Sequence, residues 1–150
     1  MAGLIFEVNV PQKALSAATQ TTIGWAAAPS SQRVKVKAYG FFFDGQVNSN
    51  QPIEIKLCRP TALGTLTASS TAQLTEQGLP ETPNTTYGVA ASAEPTLANI
   101  YKTITVHPQL GYEYIAPLGE EEQIKGGQTW VVSANAPQAV NIRGYFRLEE

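Results

Sequence analysis

The chain has 150 residues, 43% of them hydrophobic and only 15% charged, with a formal net charge of −2. A chain of this length folds as one domain and buries about 70% of its unfolded surface, and so apolar a composition excludes disorder. Its ten Lys and Arg are scattered rather than clustered, which excludes the basic surface that nucleic-acid binding by counterion release requires.

No run approaches the ~18 consecutive apolar residues of a membrane-spanning helix, so no membrane association is expected. The opening residues Met1 to Glu7 lack a basic leader and carry an early acid, unlike a signal peptide. Cys58 is the sole cysteine, so no internal disulfide is possible. These features fit a protein made in a cytoplasm. The charged fraction lies below the ~25% usual for soluble domains, which suits a chain packed among neighbours, unless Thr, Ser, Gln and Asn supply the polarity instead.

Along the chain, Leu4, Phe6, Val8 and Val10 alternate with Ile5, Glu7 and Asn9, predicting a strand stopped by Pro11. Residues 14–20 read as a loop or a short helical turn. Residues 21–28 form a second predicted strand, closed by the turn Pro29-Ser30-Ser31-Gln32. Residues 33–43 form a third. Simple alternation puts Val34, Val36, Ala38, Gly40 and Phe42 on one face, and Lys35, Lys37, Tyr39, Phe41 and Phe43 on the other. Asp44-Gly45 opens a reversal. Residues 53–59 alternate cleanly between Pro52 and Pro60.

The signal weakens from Thr61 to Pro83, with a short strand at residues 65–68 and a loop from Glu76 to Pro83. Further strands are predicted at 85–91, 99–107 and 112–116. Glu120-Glu121-Glu122 reads as an exposed acidic turn. Thr129 to Ala134 and Val140 to Leu148 are predicted to pair across the turn Asn135-Ala136-Pro137-Gln138. About nine short strands, with no helical period, predict an antiparallel β-sandwich of eight to nine strands, jelly-roll-like, forming a single domain over 1–150. Its expected core is Val34, Val36, Ile53, Ile55, Leu57, Ile104, Trp130, Val132, Val140, Ile142 and Phe146.

Little of the sequence carries chemistry. His107 is the only histidine and precedes Pro108 at a predicted strand end, so no triad and no shared metal site is expected. Cys58 reads as a strand residue. A glycosidase would need Glu94 or Glu113 to face the acidic turn across a cleft. Gly126-Gly127 lacks the order of a phosphate loop, and Asn84-Thr85-Thr86 matches a glycosylation acceptor that is idle without secretion. No catalytic residue, cofactor or metal is expected. The aromatics Tyr39, Phe41, Phe43, Tyr101, Tyr112, Tyr114 and Tyr145 line either a sugar or peptide groove or a core or interface.

Four segments carry a resemblance. They are Arg33 to Gly45, Ser92 to Pro95, Val106 to Tyr114 with Pro117-Leu118-Gly119, and Ala136 to Tyr145. In that order, and covering most of the chain from Arg33 onward, they resemble small virion proteins of tailed bacteriophages, of the capsid decoration (cement) type. The resemblance implies a structural protein without catalysis, placed on the outer surface of the phage head. Its partners would be the major capsid protein and its own copies, with a trimer favoured. A tail or head-fibre component and a carbohydrate-binding sandwich for host attachment are the alternatives. Two surfaces are expected to dock. Leu4, Ile5 and Phe6 are consecutive, so a one-faced strand cannot bury all three, and residues 1–10 are expected to be an interface arm or an edge strand. Tyr39, Phe41 and Phe43 would expose aromatic area unless a partner covers them. The alternative is that both sets lie between two sheets of one subunit.

Overall fold

A computed structural model describes residues 3–44, 51–69, 73–74 and 81–150. The reversal after Asp44 (45–50), residues 76–80 of the predicted loop and the first two residues of the expected arm lie outside them. The described chain is all-β. In order the strands are β1 Ile5–Leu15, β2 Gln20–Ala27, β3 Val34–Asp44, β4 Ile53–Cys58, β5 Thr65–Thr67, β6 Gln73–Leu74, β7 Thr86–Gly88, β8 Ala90–Ala93, β9 Ile100–Val106, β10 Tyr112–Ile115, β11 Glu122–Ile124, β12 Thr129–Asn135 and β13 Val140–Glu149. Two antiparallel sheets pack together. The first runs β10-β3-β13-β1-β6, with β11 also on the edge of β3, and the second runs β7-β2-β12-β4-β9. A third ribbon, β5-β8, pairs within itself and joins neither ladder.

The expected core is inside. Of its eleven residues all are buried except Val140, which packs partly covered against the rest. The predicted pairing of the last two strands is not formed. β12 pairs with β2 and β4, while β13 pairs with β1 and β3, so each sits at the middle of a different sheet. Pro137 supplies no donor at the connection, and Ala136 bonds Ala18 instead, accepting from its N–H at 2.7 Å. The connection therefore crosses from one sheet to the other.

Two bulges overturn the simple alternation. In β3, Leu148 faces Val36 but Arg147 faces Ala38, so Lys37 is an extra residue. An extra residue reverses the faces beyond it. Val34 and Val36 point inward before the bulge, and Tyr39, Phe41 and Phe43 point inward after it, so all five share the core face. In β1, Val10 faces Gly144 and Lys13 faces Ile142, so Pro11 and Gln12 together oppose Arg143. Pro11 was expected to end the strand. At a bulge its missing N–H costs no ladder bond, and β1 continues to Leu15.

The second sheet is covered on both sides. Trp25, Cys58 and Val131 form a small second core on its outer face, with Leu66 of β5 packed over it. Trp25 Nε1 donates toward Thr67 O (3.3 Å) and Ala90 O (3.2 Å), which ties the ribbon down. Gly88 permits that approach, since a Cβ there would stand 2.1 Å from Thr67 O. The two described ends of the chain are locked side by side: Leu4 N donates to Glu150 O (2.8 Å) and Glu150 N to Leu4 O (3.0 Å).

Candidate functional site

The residues expected to dock lie mostly in the interior. Phe6, Tyr39 and Phe41 are fully buried between the sheets, and Phe43 is partly buried against the same core. Leu4 and Ile5 are half-buried at the start of β1. The bulge in β3 turns Tyr39, Phe41 and Phe43 inward, and β13 fixes β1 from Ile5 as a core strand. Phe6, Tyr39 and Phe41 therefore offer a neighbour no surface, while Leu4, Ile5 and Phe43 keep part of theirs.

The apolar surface lies elsewhere. Leu110 is 83% exposed, Ile115 69% and Leu118 92%. They belong to β10 and the turns on either side of it, and β10 ends the first sheet. The turn before it is built by His107, whose carbonyl accepts from the N–H of Leu110 (3.0 Å) and of Gly111 (3.2 Å). His107 Nδ1 accepts from the Gln109 N–H at 3.2 Å, so the ring serves that turn. Gly111 and Gly119, at φ 67° and 88°, lie one residue after Leu110 and Leu118. These turns lift the two leucines off the sheet.

Behind β10 the open side of the sandwich is closed by an aromatic and ionic network. Tyr39 stacks with Tyr112 and packs against Tyr114. Lys102 Nζ lies 4.0 Å over the Tyr114 ring and donates to Tyr39 Oη (2.8 Å) and Glu122 Oε1 (3.2 Å). Tyr101 Oη accepts from Trp130 Nε1 (2.7 Å) and donates to Glu122. Burial pushes the phenols of Tyr39 and Tyr101 well above their ordinary range, so both stay neutral donors.

The acidic turn is thus not a solvated patch. Glu120 is exposed and Glu122 enters this network. Glu121 is buried and pairs with Lys37 at 2.6 Å. The Lys37 ammonium holds the Glu121 carboxyl below its ordinary range, and Glu121 in turn raises Lys37. Glu94 accepts from Thr22 N (2.8 Å) on the second sheet, and Glu113 accepts from Tyr145 on the first. Neither joins the acidic turn, so no facing pair of carboxylates is built from these groups. The Cys58 thiol is buried, and burial pushes it up to about 11, the reverse of an activated nucleophile. Among the described residues no group of three His, Cys, Asp or Glu is placed to hold a metal ion, and no helix is long and apolar enough to cross a membrane.

One concave site was missed by the sequence. The segment after β4, the residue before β9 and the β11–β12 turn enclose a groove of about 460 Å³ beside Arg59. Its walls come from three distant stretches, and no motif marks any of them. No family model, curated protein or solved structure matches the chain.

Proposed function

We propose that this chain is a structural virion protein, a decoration protein that binds the outer surface of a phage head and reinforces it. It has no catalytic role in this reading. Its partners are the major capsid protein and its own copies, with a trimer favoured by the symmetry of shell sites. The observation that carries the reading is the apolar rim of Leu110, Ile115 and Leu118. Large side chains this exposed, gathered on one sheet edge, mark a contact surface. Modest contacts repeated over many shell sites add up to firm attachment.

The strand order supports the jelly-roll form of the sandwich. Leaving aside the β5-β8 ribbon and the two- or three-residue strands β6, β7 and β11, the strands fall into two sets of four, β10-β3-β13-β1 and β2-β12-β4-β9. The chain changes sheet at β1–β2, β2–β3, β3–β4, β6–β7, β9–β10, β11–β12 and β12–β13. Such alternation between the sheets is what two interlocked Greek keys would require, and it supports that reading.

The test is co-sedimentation of purified protein with undecorated heads. Ile115→Ser together with Leu118→Ser should leave the unfolding free energy within about 0.5 kcal/mol, because both sites are exposed. Occupancy on heads should fall several-fold. Wild-type occupancy in the double variant removes the rim from the contact. Failure of the unaltered protein to bind heads removes the decoration role.

A further inference from the structure

The groove beside Arg59 is lined by Arg59, Pro60, Thr61, Leu63, Asn99 and Gln128, with the Gly127 and Thr129 backbone completing the wall. Its loops are pinned to each other. Arg59 N donates to Asn99 O (3.3 Å), Asn99 Nδ2 donates to Arg59 O (3.2 Å), and Asn99 holds a left-handed φ of 52°. Arg59 is the one ionised side chain in the lining.

The guanidinium is held in place but poorly compensated. Its carbon lies 4.7 Å over the centre of the Tyr101 ring, and Nη2 donates to Gln123 O at 3.0 Å. None of the ion pairs among the described residues includes Arg59. Its Nε is closed off from water and, alone among buried side-chain nitrogens and oxygens of the described residues, has no hydrogen-bond partner. An arginine that is merely solvated keeps its N–H groups wet. Here one N–H of a half-buried guanidinium is closed off and unpaired, and an anion entering the groove would meet no ion pair already formed with it.

We propose that this groove binds a sugar acid. The carboxylate pairs with the Arg59 guanidinium, whose planar fork suits that group. The apolar face of the sugar ring lies against Pro60 and Leu63, and its hydroxyls bond Thr61, Asn99 and Gln128. A concave site of this volume, with apolar walls and a few fixed polar groups, has the build of a small-ligand pocket. The assignment is independent of the partner that the β10 rim takes.

The experiment is an amide-resolved NMR titration of the full chain with glucuronate, alongside glucose and inorganic phosphate. Glucuronate should shift the amides of residues 59, 61–63, 99 and 127–129, with an affinity at least about tenfold above glucose, the step expected for one charge-assisted contact. Arg59→Met should remove that advantage. Leu63→Trp, which fills the mouth and keeps the charge, should weaken glucuronate several-fold and keeps the test decisive if Arg59→Met fails to fold. Three results overturn the proposal. They are glucose binding as tightly as glucuronate, phosphate matching glucuronate so that only charge is read, and glucuronate leaving these amides unmoved.

Discussion

The outer face of the first sheet is a lattice of paired charges. Glu7 pairs with Arg147 at 2.8 Å, Asp44 with Arg143 and with Gln12, Glu149 with Lys35 (3.8 Å) and Lys37 (3.1 Å), and Tyr145 with Glu113. The outer face of the second sheet holds Trp25, Cys58 and Val131, roofed by the β5-β8 ribbon. One face is satisfied by water and its own ion pairs, the other by its own chain. A partner on the first would have to desolvate charges already matched, and a partner on the second would have to displace the ribbon. Most of both broad faces is therefore committed within the subunit, which is why the proposed contact is placed at the rim beside β10.

The contrast predicts unequal costs. The largest is on the roofed face: Trp25→Ala removes the centre of the second core and should lower the unfolding free energy by ~3–5 kcal/mol in denaturant titrations. A loss near 1 kcal/mol would mean that the ribbon collapses onto the gap and that this face is not truly a core.

A middle effect is read by pH at Glu121. Its folded carboxyl lies below its ordinary 4.5, so the unfolded chain binds the proton more readily. The stabilisation is present above pH 4.5 and is lost as pH falls through the lower folded value. Lys37→Met should make the decline of stability below pH 4.5 shallower, measured as the urea midpoint against pH. An unchanged slope would show that the pair does not hold the β10–β11 segment to β3.

The smallest belongs to the charged face. A double-mutant cycle on Glu7 and Arg147 should give a coupling of ~0.2–1 kcal/mol that salt diminishes, because both side chains are well exposed. A coupling above ~2 kcal/mol would make that face a stability element comparable to the roofed one.

The strands were largely legible because β4, β12 and β13 alternate or cluster apolar residues without interruption. The side on which residues fall was legible only up to a bulge. Nothing in Val34 to Phe43 says that Lys37 is surplus, since that is decided by Arg147 and Leu148 on a strand over a hundred residues away. For the same reason the sequence left Tyr39, Phe41 and Phe43 open between a docking face and the space between the sheets, and they lie on the core side. The exposed leucines left a faint trace: each stands directly before a glycine in a turn, Leu110-Gly111 and Leu118-Gly119, where an apolar residue has no core to reach. The Arg59 groove left none, because a concavity made by three separate loops has no period and no spacing.

The placement of β12 and β13 at the middle of the two sheets also sets the order of events during synthesis. β1, β2, β3 and β4 emerge first, yet apart from the short edge strands β6, β7, β10 and β11 and the pairing of β4 with β9, their sheet partners are the last two strands. Nearly every ladder in the molecule thus closes over a long sequence separation, the topology that folds slowly. A ribosome that has not yet released residues 129–149 carries an apolar chain without its two central strands, exposed to proteases and to its neighbours, so this protein is expected to fold only after its C-terminal segment has left the exit tunnel.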